Sequence, residues 1–140
     1  MEFHHLGVAC TDLDAEEAAF APLGYERERD DFTDPLQGIQ GRFLVGGGPR
    51  LELLVALPGS NVLASWLARG TKVYHQAYQV PNLGESTALL HARRARTVSE
   101  PKPAVAFDGR QVTFLVLPNL LLIELIEAPL RTGLVRDHGV

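Results

Sequence analysis

This chain of 140 residues has one cysteine, Cys10, one methionine and one tryptophan. A single thiol cannot build an intramolecular disulfide framework, and it fits a reducing compartment. No run of 18 apolar residues offers a membrane span. No charged-then-apolar leader precedes the strand-like sequence that begins at Phe3. Basic charge is scarce as well. The formal net charge is −4, and the one basic cluster is Arg93-Arg94-Ala95-Arg96. Those arginines suit a helix end, where they favour the dipole. Nucleic-acid and membrane partners are therefore disfavoured, and a cytoplasmic protein is expected. Gly46-Gly47-Gly48 has neither the lysine nor the following helix of a phosphate loop. It reads as a turn between strands. What the chain does have is apolar content, 46% of its residues, enough for one domain with a sizeable core.

The most apolar stretch is Leu120–Leu130, with Glu124 at its middle. As a strand it places Leu122, Glu124 and Ile126 on one face and Leu121, Ile123, Leu125 and Glu127 on the other. Glu124 then points into a half-buried site, where a bare carboxylate needs a metal ion, a cation or a proton. An edge strand with Glu124 in solvent is the alternative. The same pattern occurs earlier, in Leu51–Leu57, and Glu52 lies under Glu124 at an offset of 72 residues. Gln37–Val45 lies over Asp108–Val116 at offset 71, glycine on glycine and Phe-Leu-Val on Phe-Leu-Val. Phe3–Val8 lies over Val73–Tyr78, with His5 over His75 at offset 70. This is a two-fold repeat. A histidine begins the first strand of each copy and a glutamate sits in the last.

Each copy reads β-α-β-β-β. In the first, Phe3–Cys10 is a strand, and Thr11 or Asp12 caps a helix to about Ala21. Tyr25–Phe32 is a charged strand, expected at an edge by its charge. Asp34–Gly38 is a turn, and Ile39–Val45 and Arg50–Ala56 are strands. Asn61–Ala68 has helical spacing, with Val62, Trp66 and Leu63 on one face. In the second copy, Lys72–Val80 is a strand and Asn82 starts a helix to about Arg93. Thr97–Pro101, Arg110–Leu117 and Leu120–Glu127 are strands. The expected organisation is one domain over 1–140: module one 3–57, linker helix 58–70, module two 72–128 and a loose tail 129–140.

Two such units about a pseudo-two-fold axis bring His5, Glu52, His75 and Glu124 around one centre. Imidazoles and carboxylates together suit a divalent ion such as Co, Ni, Zn, Mn or Fe. The carboxylates balance its charge, and a chelating substrate can take the remaining positions. The ion would stabilise a developing enolate. A weakly bound glutamate, Glu124 or Glu52, would remove a proton next to a carbonyl. Glu124 is the preferred base, because desolvation in its apolar strand raises its pKa when the metal lets go. His4 is expected on the opposite face, outside the ligand set. His91 and His138 are expected at the surface, and Cys10 in packing.

These residues resemble the vicinal oxygen chelate superfamily, with its glyoxalase fold, and most nearly its methylmalonyl-CoA epimerase branch. The resemblance covers 3–127. It rests on His5 in His-Leu-Gly-Val-Ala, Pro22-Leu23-Gly24-Tyr25, Asp34–Gly38, Glu52 in Leu-Glu-Leu-Leu, Ala64-Ser65-Trp66-Leu67, His75, and Glu124 in Ile-Glu-Leu. It implies an α+β fold in which two βαβββ modules form an open barrel around a metal, in a homodimer. It implies His5, Glu52, His75 and Glu124 as ligands, and a CoA- or carrier-protein-linked acyl thioester as substrate. Some epimerases carry a second glutamate near the position of Gly41, which has no side chain here. The family's histidine pair is Tyr74-His75 in this sequence, and its loop before the last strand is reduced to Leu117-Pro118-Asn119. The alternatives are a glyoxalase I-type lyase acting on a hemithioacetal of glutathione and a non-catalytic binding protein of the same superfamily. An extradiol dioxygenase fits less well, since its iron site has one carboxylate.

Overall fold

The structure is a computed structural model describing residues 1–129. The expected tail beyond Pro129, and His138 within it, lie outside the described residues. The strands are β1 (Glu2–Ala9), β2 (Glu26–Arg27), β3 (Phe32–Asp34), β4 (Ile39–Val45), β5 (Leu51–Ala56), β6 (Val73–Val80), β7 (Arg96–Pro103), β8 (Gln111–Val116) and β9 (Leu122–Glu127). The helices are α1 (Leu13–Phe20), α2 (Ala64–Ala68) and α3 (Leu83–Ala92). The strands form one open sheet in the order β2-β4-β5-β1-β6-β9-β8-β7, with β3 also paired to β4. The order is nearly palindromic. β1 pairs with β5 in parallel, as β6 does with β9, and the two halves meet at the antiparallel β1–β6 pair. This is the open, unclosed α+β sheet that the resemblance implies, with the β-α-β-β-β order of each half read from the repeat.

Period-two alternation sorts the sheet's two faces. Leu51 and Leu53 of β5 pack with Val8, Leu13 and Leu44 on the face covered by α1. Ile123 and Leu125 of β9 pack with Val80, Leu115 and Leu90 on the face covered by α3. Glu52, Leu54, Leu122 and Glu124 line the other face. Both helices start on side-chain caps: Asp12 accepts from the Ala15 N–H at 3.0 Å and Asn82 from the Glu85 N–H at 2.8 Å. Gly38 and Gly109, matched in the repeat, have φ of 76° and 83°. Both hold the left-handed turn that enters the penultimate strand, a conformation glycine adopts at little cost.

Three expectations need correction. The single strand over Tyr25–Phe32 is two short ones, β2 and β3. Between them Asp31 turns to bind Arg42 through two bonds of 2.8 Å, and Glu28 reaches Arg50 at 3.1 Å. Ion pairing with β4 and its neighbour outweighs the strand pattern there. The linker helix starts at Ala64, because the preceding residues form a turn closed by Ala64 N–H onto the Asn61 carbonyl. In that turn Leu63 is buried and Val62 is left exposed. Cys10 is buried but falls just past β1.

Arg42 is 4% exposed and holds Asp31, Asp14 and Glu17 at 2.8–2.9 Å on the helix side of the sheet. Breaking a buried pair from one side leaves uncompensated charge. Asp14 is largely in solvent, so the cost is discounted for screening. Arg42→Met is expected to lose about 1–3 kcal/mol in urea unfolding. An unchanged midpoint would show that the network contributes nothing to stability.

Candidate metal centre

The four central strands of the sheet, β5-β1-β6-β9, carry the four residues singled out from the repeat. His5, Glu52, His75 and Glu124 are 0%, 5%, 3% and 5% exposed, respectively. The solvent-facing alternative for Glu124 is thereby excluded. One ligand atom from each lies within 4.8 Å of all the others. His5 Nε2 is 3.0 Å from Glu52 Oε1, 3.3 Å from Glu124 Oε1 and 3.2 Å from His75 Nε2. His75 Nε2 is 3.6 Å from Glu52 Oε1 and 3.3 Å from Glu124 Oε1.

The register explains how four such side chains share one space. Gly7 pairs with both Glu52 and His75, and Ala77 with both His5 and Glu124. A small residue therefore sits between each pair of functional groups. A Cβ on Gly7 would collide with the His75 ring, so this position must be glycine for His75 to occupy its place. Phe43 is paired with Glu52 and Phe114 with Glu124. Their rings meet His5 and His75 edge-on, at 5.6 Å and 5.3 Å respectively. The two halves of the centre match in their histidine, glutamate and phenylalanine, with a small residue between the ligands in each.

Strand irregularity adds two residues that alternation misses. The β1–β6 register skips His4 and skips Tyr74, the equivalent positions in the two copies. A bulge of this kind re-aims a side chain. His4 is consequently not on the opposite face. Its Nδ1 is 2.8 Å from His5 Nδ1, and its ring packs on Phe43 and Phe107. Burial and the neighbouring His5 lower His4 to about 4, so it is neutral and can accept a hydrogen bond from the His5 Nδ1–H. With that bond fixing the Nδ1 proton, His5 Nε2 would be the nitrogen that meets an ion once its own proton is lost. Tyr74 lines the cavity beside the centre, its ring 4.6 Å from that of His75. Burial, with Glu52 and Glu124 nearby, pushes its phenol well above the usual range, so the hydroxyl keeps its proton.

A divalent ion fits this group. Ligand bonds of about 2.1 Å put neighbouring ligand atoms roughly 3.0 Å apart at right angles and roughly 3.4 Å apart in a tetrahedron. Five of the six separations here, 3.0 to 3.6 Å, span those values, and the sixth, between the two carboxylates, is within 4.8 Å. Glu124 Oε1 and His75 Nδ1 are buried without a hydrogen-bond partner, and an ion would satisfy the carboxylate. Without an ion the two imidazoles hold protons that face the two carboxylates. Burial alone would lower His5, but Glu52 and Glu124 outweigh it and raise the imidazole to about 9. His75 is raised by the same two carboxylates against its burial. Burial would raise both glutamates, yet the histidines hold both below the usual carboxylate range.

The centre opens into a cavity of about 430 Å³. Its walls are mainly apolar, from Leu54, Leu63, Trp66, Phe107, Phe114 and Leu122. The inter-module segment forms one side and β7 with β8 the other.

Residues 4–114 match the family model of the Glyoxalase/Bleomycin resistance protein/Dioxygenase superfamily. The chain belongs to that superfamily. Solved structures resemble it over almost its whole length. Methylmalonyl-CoA epimerase from Mycobacterium tuberculosis is 25% identical, with a TM-score of 0.76, covering 95% of this chain and 91% of that one. A hypothetical protein from Bacillus halodurans C-125 is 24% identical, with a TM-score of 0.76 and coverages of 94% and 96%. A single-substitution variant of Streptomyces coelicolor methylmalonyl-CoA epimerase, in complex with 2-nitronate-propionyl-CoA, is 24% identical, with a TM-score of 0.70 and coverages of 93% and 99%. No curated protein matches the chain.

Two measurements test the centre. His75→Ala is expected to abolish stoichiometric metal uptake. His4→Ala is expected to retain it at saturation with affinity weakened about 10–100-fold, since its effect runs through His5. Equal affinity in His4→Ala and wild type would remove His4 from the centre. The second concerns pH. His5 binds its proton more tightly in the folded, metal-free protein, at about 9 against 6.5 unperturbed. Its contribution to stability is complete below about 6.5 and is lost as pH rises through about 9. The melting temperature of metal-free protein should fall across that window, while that of metal-loaded protein stays flatter. A metal-free protein stable to the same temperature at both ends would contradict the proton-filled centre.

Proposed function

We propose that this protein is a metal-dependent epimerase or isomerase that removes the acidic proton next to the carbonyl of a methylmalonyl-CoA-like acyl thioester, linked to CoA or to a carrier protein. The observation that carries this reading is the buried His5–Glu52–His75–Glu124 cluster at the end of a cavity with apolar walls. The similarity to epimerase structures supports it. The four residues would hold a divalent ion, with Co, Ni, Zn, Mn and Fe all compatible with the donor set. When bound, the ion supplies Lewis-acid stabilisation of negative charge on substrate oxygen.

The chain's own residues do the rest. Glu124, whose carboxylate lines the cavity, is the base. It takes the proton, the electron pair of the C–H bond becomes a C=C bond to the carbonyl carbon, and the carbonyl π pair moves onto oxygen. The proton then returns to carbon, on the opposite face for epimerisation. Glu52 is the second carboxylate of the centre and the alternative base. Phe43 and Phe114 exclude water from around the imidazoles, and the Tyr74 hydroxyl offers a hydrogen bond from the cavity wall.

One observation favours a second reading. Gly41 carries no side chain, and the Phe32 ring fills the space above it, where a Cβ would stand. No carboxylate therefore enters from that strand. A single carboxylate that removes a proton and returns it to the adjacent carbon, as in a glyoxalase I-type lyase, needs no second base.

Purified without chelator, the protein is expected to hold about one divalent transition metal per chain. In deuterated buffer, metal-loaded protein should exchange the acidic proton of methylmalonyl-CoA. Glu124→Gln should keep the fold and lose exchange by at least about 100-fold. Wild-type exchange in that variant removes Glu124 as base. Absence of metal uptake sinks the reading altogether. Turnover of a glutathione hemithioacetal, with none of methylmalonyl-CoA, selects the second reading.

A further inference from the structure

The polar atoms of the cavity that the metal centre does not use are unevenly divided between donors and acceptors. Lys102 lines the cavity and makes no ion pair or side-chain hydrogen bond among the described residues; the chain's other lysine, Lys72, is paired with Glu16. Gln37 also lines it, and its Nε2 is buried without a partner. The carboxylate in the same wall, Asp34, is already occupied. Its Oδ1 accepts the Gln37 N–H at 3.1 Å and its Oδ2 the Val105 N–H at 2.9 Å. Asp34 is 2% exposed, so this is a buried staple between the two halves. It ties the turn bearing Gln37 to the segment that follows Lys102 by three residues.

The backbone is shaped to turn Lys102 inward. From Ser99 to Lys102, β7 advances three residues while β8 advances two, from Phe114 to Val112. Simple alternation would put Ser99 and Lys102 on opposite faces, yet both line the cavity. Lys102 paired with Val112 is moreover the counterpart of Phe32 paired with Gly41. One copy covers the cavity with an aromatic ring, and the other places a cation there.

An amide nitrogen buried beside an apolar wall without a partner is costly unless a ligand completes it, and half-buried Lys102 brings an unpaired ammonium to the same cavity. We propose that Lys102 and Gln37 form a distal subsite for a carboxylate of the substrate. The substrate then has a chelating head at the metal centre, an apolar stem along Leu54, Trp66 and Phe114, and a second, anionic end. One ammonium and one neutral amide match the single charge of a carboxylate; a phosphate would leave a charge uncompensated. This deepens the proposed function and rests on its chelating centre.

The test uses metal-loaded full-length protein and straight-chain hydroxamic acids of five to eight carbons, each paired with the same compound ending in a carboxylate. The hydroxamate supplies two oxygens to the metal, and calorimetry reads affinity without turnover. At one chain length the carboxylate-ended compound is expected to bind about tenfold tighter or better. Lys102→Met should reduce that preference to within about twofold, Lys102→Arg should keep most of it, and Gln37→Leu should lose part of it, with the uncapped compound binding all three as it binds wild type. Equal binding of both members at every length overturns the subsite, as does a preference that survives in Lys102→Met. Failure of both members to bind any metal-loaded form overturns the chelating centre, and the subsite falls with it.

Discussion

Two carboxylates and two imidazoles buried together set the terms for the rest of this structure. Removing a single ion from water costs several kcal/mol even after relaxation, and apolar replacements of such groups are often neutral or stabilising. The cluster is therefore weakly explained by folding stability and well explained by ligand binding. Its requirements run through the neighbouring residues. Gly7 and Ala77 leave room between the functional groups. Phe43 and Phe114 wall them from solvent. The helices α1 and α3 cover the far face, leaving the near face free for the cavity.

Much of this was legible because the repeat turns a local ambiguity into a coincidence. Glu124 alone in an apolar strand is compatible with an edge position. Glu124 over Glu52, with His75 over His5, is hard to reconcile with anything but a shared centre. Period-two alternation then assigns faces correctly in β5 and β9, where strands are regular. It fails at His4 and Tyr74, because a bulge depends on register with a strand about 70 residues away. The split of Tyr25–Phe32 was hidden for a similar reason. Its cause is Arg42, which makes ion pairs with Asp31 that no local pattern records. Asp34 shows the same limit: read as an ordinary turn residue, it also reaches Val105 across the structure.

Where the two copies agree, they build the centre; where they differ, they build the cavity. His4 bonds to His5, whereas Tyr74 meets His75 through its ring and leaves His75 Nδ1 unpartnered. The two histidines thus enter the centre with different support, and His5 is the one whose Nδ1 meets a neighbouring side chain. Phe32 and Lys102 occupy equivalent positions with opposite character. A symmetric site would present the same group to both ends of a substrate. This one presents an aromatic face on one side and a cation on the other, a difference that would orient a bound molecule. In the proposed reaction, that orientation would decide which face of the acidic carbon meets Glu124. The stereochemical course of such a reaction would then be set by the differences between the copies, while the capacity to stabilise charge would be set by what they share.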